Sequence, residues 1–184
     1  DALIGTGNRD NTVVVFVSDH GEGQAHHQMV LENYLYDEAV KVPLVFSCPA
    51  RIESGLVDTS HLVSGLDLTP TLCAFAGCPA PPGNLGINLQ PLLRGGQAGG
   101  HEFVVAEASD CTGRMLRTGR YKYITYEDDP VEQLFDMIED PGESVNLARS
   151  AAGSQILTEH RSLLEQWEGN LDKAPGKSRR TSFE

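Results

Sequence analysis

Apolar residues in this chain gather into a few separable patterns. Val13-Val14-Val15-Phe16-Val17 is an unbroken, mostly β-branched run closed by Ser18-Asp19-His20-Gly21. A run without polar alternation predicts a strand buried on both faces, as in a mainly parallel sheet. Residues 22–28 are polar and contain Gly23, which predicts a loop. Residues 31–39 predict a short helix and 42–46 a second strand, whose Pro43 belongs at the strand's start or on a sheet edge. A better punctuated helix follows over 67–77. Asp67 or Thr69 can cap it, Pro70 suits its first turn, Leu72, Phe75 and Ala76 share a face, and Gly77 ends it.

Two Pro- and Gly-rich passages, 79–86 and 95–100, then interrupt the pattern. Beyond them the periodicity shortens to that of strands: 103–107, 115–118, 121–126 and 133–136, with Gly119 placed for a tight hairpin between the second and third. In the last periodic segment Ile156, Leu157, His160, Leu163, Leu164, Trp167 and Leu171 form a single helical stripe, which predicts a helix over 154–171 packed on the preceding strands. The expected fold class is α/β. Residues 1–100 would form the edge of a larger mixed sheet, 101–172 a small antiparallel sheet of about four strands under the helix, and 173–184 a frayed basic tail.

Charge narrows the partners. Fourteen basic residues face 26 acidic ones, a formal net charge of −12 in 184 residues, which argues against nucleic acid and anionic membrane surfaces. No apolar run approaches the ~18–20 residues of a bilayer span. Cys48, Cys73, Cys78 and Cys111 form no CxxC pair and are too sparse for a disulfide scaffold, so buried or half-buried thiols are expected. Glu127, Asp128, Asp129, Glu132, Asp136, Glu139, Asp140 and Glu143 lie in a stretch without Lys or Arg. Their spacing is not that of an EF-hand, so a solvated loop is the stronger reading than a calcium site. The opening Asp1-Ala2-Leu3-Ile4 has neither a leader's pattern nor an initiator Met; it reads like the middle of a gene and leaves the compartment open.

The candidate chemistry lies where the first strand stops. Asp19 and His20 follow a buried run directly, and in open α/β sheets ligands collect beyond the carboxyl ends of strands. Neighbouring side chains in a strand point to opposite faces, so both reach one ion only if the chain turns, and Gly21 permits that. Carboxylate oxygen and imidazole nitrogen together suit Ca²⁺, Mg²⁺, Mn²⁺ or Zn²⁺. Taken alone, the pair also reads as a helix-capping Asp beside a surface His. His26 and His27 follow in the same loop, suited to holding a substrate oxygen or moving a proton, or simply solvated.

The whole stretch resolves these choices. Asn11-Thr12-Val13-Val14-Val15-Phe16-Val17-Ser18-Asp19-His20-Gly21-Glu22, followed by Leu35-Tyr36-Asp37-Glu38-Ala39-Val40-Lys41-Val42-Pro43-Leu44-Val45, resembles the sulfatase family of the alkaline phosphatase superfamily. Asp67-Leu68-Thr69-Pro70-Thr71-Leu72, Arg117-Thr118-Gly119-Arg120-Tyr121-Lys122-Tyr123-Ile124 and Gln133-Leu134-Phe135-Asp136-Met137 through Asn146-Leu147-Ala148 are similar to later family segments in the same order. The resemblance implies hydrolysis of sulfate esters, with phosphonate monoesters or phosphodiesters as substrates of relatives. It implies a formylglycine nucleophile made from Cys or Ser, and a divalent cation, Ca²⁺ foremost with Mn²⁺ or Mg²⁺ as alternatives. Asp19 and His20 then match the family's metal ligands, and His27 a substrate contact.

Two departures accompany the match. The family's nucleophile motif, Cys or Ser followed by x-Pro-x-Arg, belongs to the N-terminal half. Here Cys48-Pro49-Ala50-Arg51 and Cys78-Pro79-Ala80-Pro81 lack its spacing and follow the metal loop. No catalytic nucleophile is therefore expected in this chain, which reads as the C-terminal part of a sulfatase, inactive alone. The family also places a sulfate-gripping Lys thirteen residues beyond the Asp, where this chain has Glu32, and usually an Arg where this chain has Lys41. A carboxylate there would repel an anionic ester by ~1–4 kcal/mol. Glu32 and the missing nucleophile keep open a non-catalytic binding or scaffold module, and a phosphonate or phosphodiester substrate. An exposed first strand would also favour self-association.

Overall fold

The computed structural model describes residues 2–28, 33–96, 99–108, 112–127 and 129–171. Glu32, Cys111, Asp128 and the tail 173–184 lie outside the described residues. In chain order the regular elements are α1 (Ala2–Gly5), β1 (Val14–Val17), α2 (Asp37–Val40), β2 (Leu44–Ser47), α3 (Leu68–Ala76), α4 (Gln90–Leu93), β3 (Phe103–Ala108), β4 (Gly113–Thr118), β5 (Tyr121–Tyr126), β6 (Asp129–Asp136) and α5 (Ser154–Leu171). The fold is mixed α/β, with a small four-stranded antiparallel sheet closed by the C-terminal helix. None of the described helices is long and apolar enough to cross a membrane.

The β-branched run does form a strand, but β1 pairs antiparallel with β2, Val14 opposite Ser47 and Val17 opposite Leu44. Burial on both faces does not follow. Val14, Phe16 and Val45 share one face of this ribbon, with Phe16 65% and Val45 54% exposed. Two strands present two faces, and within this chain only one of them receives partial cover. Pro43 has no N–H to give a ladder, and β2 accordingly begins just after it. Of the helix expected over 31–39, residues 31 and 32 lie outside the described residues; over 33–39 it reduces to one turn, α2, because Leu35 leaves the helical path to enter the core of the C-terminal sheet.

At α3, Asp67 holds the N-cap position as expected but makes no side-chain cap to the helix. Ser64, not Asp67 or Thr69, forms the capping box of the preceding 3₁₀ turn: its Oγ accepts from Leu66 N and its N–H donates to Asp67 Oδ2 at 2.7 Å. Asp67 is buried and also accepts from Ile87 N (2.8 Å) and from His101 Nε2 (2.8 Å). Its carboxylate thus ties three chain segments together. The inward face of α3 is Pro70 and Thr71, whose hydroxyl accepts from Leu89 N, while Leu72 is 44% exposed. Gly77 ends the helix in the left-handed conformation at φ 71°.

The C-terminal sheet is a plain meander, β3-β4-β5-β6. Strand alternation divides its side chains. Leu116, Tyr123 and Leu134 meet Leu157 and Leu164 of α5, with Trp167 at the margin. Met115, Ile124 and Phe135 point the other way and bury Leu35 with Met137. Each fully buried aliphatic side chain stabilises by about 1.5–3 kcal/mol, so both faces hold the sheet in place. On the helix side His160 Nδ1 donates to Ile156 O at 2.8 Å, its Nε2 meets Thr118 Oγ1, and burial lowers its basicity.

The acidic stretch is only in part a solvated loop: Glu127, Asp129 and Glu139 are exposed, while three other carboxylates are paired. Strand β6 begins at Asp129 and tolerates Pro130 because it is the edge strand. Glu132 pairs with Arg161 and accepts from Tyr123 Oη, Asp136 pairs with Arg120 at 2.7 Å, and Glu143 with Lys122 at 2.7 Å. Cations from other elements thus meet the carboxylates that lack a local Lys or Arg. Of the thiols, Cys48 is buried and Cys73 half-buried as expected, whereas Cys78 is exposed.

Candidate active site

Asp19 and His20 leave the end of β1 together. His20 Nδ1 lies 2.7 Å from Gly21 O, so Nδ1 carries the proton and Nε2 is left with a lone pair. That Nε2 is 3.8 Å from Asp19 Oδ2. The Asp19 carboxylate accepts from His20 N at 3.0 Å and from Ser18 Oγ at 3.3 Å. These contacts, the His20 N–H foremost, hold its carboxyl below the usual carboxylate range. Its side chain is 86% exposed. An anionic oxygen and an imidazole nitrogen therefore face the same solvent-open space, at a separation that suits two ligands of one divalent ion.

Gly21 does more than permit the turn. A Cβ there would sit 1.9 Å from Glu38 O. Gly21 N donates to Ala39 O at 2.7 Å and Glu22 N to Glu38 O at 3.0 Å. The loop after β1 is thereby laced to α2. His27 stacks on Tyr36 (ring centroids 4.0 Å apart, planes 9° apart), and His26 meets His27 edge-on at 4.9 Å. Glu38 completes the group, with Oε1 2.6 Å from His26 Nδ1 and Oε2 4.0 Å from His27 Nε2. Burial raises the Tyr36 hydroxyl above its ordinary pKa, so that phenol stays neutral beside them.

Lys122 underlies α2. Its side chain is 0% exposed, and its Nζ lies 2.9 Å from Asp37 Oδ1 and 2.7 Å from Glu143 Oε1. Glu143 Oε2 accepts from Asp37 N at 2.7 Å, which closes the triad. Burial, opposed by Lys122, raises the Glu143 carboxyl above its ordinary value. Lys41 instead lies at the surface, 3.9 Å from Asp37 Oδ2. Sequence reasoning missed this support for the site, although a signal was present. A lysine amid Tyr121-Lys122-Tyr123-Ile124 is a charge inside a strand that is otherwise apolar and aromatic, and such a charge needs a buried partner.

Sequence reasoning also passed over Ser47. Ser47-Cys48-Pro49-Ala50-Arg51 has the bare Ser-x-Pro-x-Arg spacing, one residue ahead of the Cys-led stretch. The structure sets it apart from the strand-end loop. Ser47 pairs with Val14, at the end of the ribbon opposite Asp19, which strand rise puts about 15 Å away. Its hydroxyl accepts from Arg9 Nη2 at 2.8 Å, and Arg51 Nη1 donates to Phe75 O. Cys48, beside it, is buried and donates to Asp10 O.

A four-stranded meander under one helix, packed behind a strand-end loop, defines the class: the C-terminal part of a sulfatase. Comparison with known proteins agrees. Residues 25–170 match the family described as N-sulphoglucosamine sulphohydrolase, C-terminal. The chain is 43% identical over 176 residues to the Delta 4,5-hexuronate-2-O-sulfatase of Bacteroides thetaiotaomicron, covering 90% of this chain and 36% of that protein. A solved 2-O GAG sulfatase superposes with a TM-score of 0.83 at 41% identity, over 92% of this chain and 38% of that one. The phosphonate monoester hydrolase of Agrobacterium radiobacter superposes at 0.80 with 26% identity, over 92% and 37%. The chain belongs to the N-sulphoglucosamine sulphohydrolase C-terminal family of sulfatases. It spans little more than a third of the length of these relatives.

Proposed function

We propose that this chain contributes the C-terminal share of the site of a sulfate-ester hydrolase, with Asp19 and His20 as two ligands of a divalent cation and His27 as a contact to the ester of a sulfated sugar or small molecule. The observation that carries this reading is the approach of Asp19 Oδ2 to His20 Nε2 at the open end of β1. Family resemblance favours Ca²⁺, with Mn²⁺ or Mg²⁺ as alternatives that the Asp19 carboxylate also suits. Bound there, the cation would offset the charge of an anionic ester. The Asp19 carboxyl is held below its ordinary range, and His20 is oriented by Gly21 O so that its lone pair faces the same way. The Lys122 triad holds α2, and through it the loop that presents His27. The formylglycine nucleophile is assigned to the part of the relatives' length that this chain does not span, so the 184-residue chain alone should not turn over an aryl sulfate.

Calorimetric titration of the chain with CaCl₂ and MnCl₂ tests the cation site. We expect binding that Asp19→Asn abolishes. Equal binding by the variant would refute the assignment, as would aryl sulfate turnover by the isolated chain. The likeness to a phosphonate monoester hydrolase supports a second reading within the same superfamily, which a panel of sulfate, phosphonate and phosphodiester substrates on a full-length protein would separate. Glu32 supports a third, non-catalytic one, in which that panel stays silent. The open face of β1 and β2 further supports self-association through Val14, Phe16 and Val45.

A further inference from the structure

We propose that His26, His27 and Glu38 form a second metal site, separate from the Asp19–His20 pair, that takes a transition ion of the Zn²⁺ class. One ligand atom from each of the three lies within 4.8 Å of the others. Two contacts bracket the spacing an ion would impose: Glu38 Oε1 to His26 Nδ1 is 2.6 Å and Glu38 Oε2 to His27 Nε2 is 4.0 Å. Donors around a tetrahedral Zn²⁺, with bonds near 2.0–2.2 Å, sit about 3.4 Å apart. Small movements of the two imidazoles, one away from the carboxylate and one toward it, therefore bring both to ligand distance.

Three further observations favour a ligand here. First, His27 Nε2 and Glu38 Oε2 are buried, face each other, and have no hydrogen-bond partner among the described residues, a state that leaves the desolvation of both atoms uncompensated. An ion between them satisfies both. Second, the backbone is strained into place: Gln24, Ala25, His27 and Gln28 all have φ between 46° and 67°. Each non-glycine residue in the left-handed region costs on the order of 1–2 kcal/mol. The resulting fold-back sets adjacent residues His26 and His27 on one carboxylate, which an extended chain would send to opposite sides. Third, the backbone that bears the carboxylate is fixed. Glu38 O accepts from Glu22 N, and neighbouring Asp37 is held by Lys122.

The donor set also separates the two sites. Two imidazoles and one carboxylate suit Zn²⁺, Co²⁺ or Ni²⁺, whereas a hard ion such as Ca²⁺ prefers oxygen. His26 is the exposed member and leaves a coordination position open to water. If His27 also contacts the ester, as proposed above, ion and ester compete for one nitrogen; the site itself does not depend on that role.

The test uses the whole chain, freed of metal by a chelator, titrated with ZnCl₂ by calorimetry and with CoCl₂ by visible absorption. One equivalent should bind, with the intense visible bands of tetrahedral cobalt. His26→Ala and Glu38→Gln should each weaken it by at least tenfold, and Asp19→Asn should leave it unchanged. Far-UV circular dichroism checks that each variant folds. In the unmodified chain, the imidazole proton signals of His26 and His27 should move with Zn²⁺ while those of His61 and His101 stay. No binding, binding unaffected by either of the first two variants, binding lost in Asp19→Asn, or shifts confined to other histidines would each overturn the proposal. A silent CaCl₂ titration beside a positive ZnCl₂ one would count against the Asp19 site alone.

Discussion

Lys122→Met removes the cation that the buried Glu143 carboxylate is paired with, and its consequence can be worked through. In the folded protein Lys122 Nζ neutralises Glu143 at 2.7 Å and Asp37 at 2.9 Å, with Glu143 almost wholly buried. Deleting one partner of such a group typically destabilises by about 3–5 kcal/mol, because a desolvated charge is left behind. Glu143 has an escape, which is to take up a proton. Holding a carboxyl of ordinary pKa 4.5 protonated at pH 7.5 costs about 1.4 kcal/mol for each of three pH units. The penalty therefore reaches its ceiling near 4 kcal/mol at pH 7.5 and falls to about 1–1.5 kcal/mol at pH 5.5.

The sign follows from linkage. Glu143 has its carboxyl raised in the fold, so it binds more protons folded than unfolded, and the stability it contributes is lost as pH rises. Removing Lys122 raises it further and steepens that loss. Urea unfolding at the two pH values, followed by fluorescence of Trp167, the single tryptophan, reads the difference directly. The double variant with Glu143→Gln, which removes the stranded charge, should recover at least half the penalty at pH 7.5. A penalty below about 1 kcal/mol at pH 7.5, or one equal at both pH values, would refute the reasoning.

Gly21→Ala should force Glu38 O away from a Cβ that would otherwise sit 1.9 Å from it; we expect about 1–3 kcal/mol of destabilisation and weakened Ca²⁺ binding, read by thermal unfolding and calorimetry. Glu132 and Asp136 have carboxyls lowered first of all by Arg161 and Arg120, so their stabilisation is present above the ordinary values of 4.5 and 3.8 and lost as pH falls through the lowered ones. Acid titration should unfold the chain below about pH 4, and Glu132→Gln should flatten that limb as followed by circular dichroism. Phe16→Asp, on the open face of β1, should convert self-associated chain to monomer in light scattering without lowering stability; an unchanged mass would remove that face from the interface.

How far the sequence carried depends on the range of the forces involved. Helix α5 and strand β5 have the bounds their periodicity predicts, because one stripe and one pleat set them. Strand β6 runs four residues further back than its apolar pattern, since Asp129 and Pro130 read locally as turn and are admitted by a free edge. The direction of β1 was not legible: a five-residue apolar run carries no information about its neighbour. At the candidate site, Asp19, His20 and His27 were named from their motifs, and their roles stand as proposed above. Lys122 with Asp37, 85 residues apart, and Glu38 beneath the histidines were not, because pairings between distant residues leave only the faint mark of a charge in an apolar setting. Ser47 shows the reverse error available to motif reading, a spacing that fits with a place in the fold that does not.

These long-range contacts determine what the C-terminal sheet does for the rest of the chain. Its two faces are not equivalent. Toward α5 it presents an apolar centre, Leu116, Tyr123 and Leu134, with polar pairs of Thr118 to His160 and Glu132 to Arg161 beside it, and one helix covers it. Toward the loop it combines an apolar set, Met115, Ile124 and Phe135 around Leu35, with one buried cation, Lys122. An apolar contact fixes little about orientation, since greasy surfaces slide at small cost, whereas an ammonium shared by two carboxylates accepts one register. The hydrophobic contact thus supplies most of the affinity of the 35–40 segment for the sheet, and the triad its alignment. That alignment is passed by two backbone hydrogen bonds, Gly21 to Ala39 and Glu22 to Glu38, to the loop that carries Asp19 and His20. A disturbance on β5 should therefore reach Asp19 and His20 through α2, while an equal disturbance on the α5 face should weaken the fold and leave their relative placement intact.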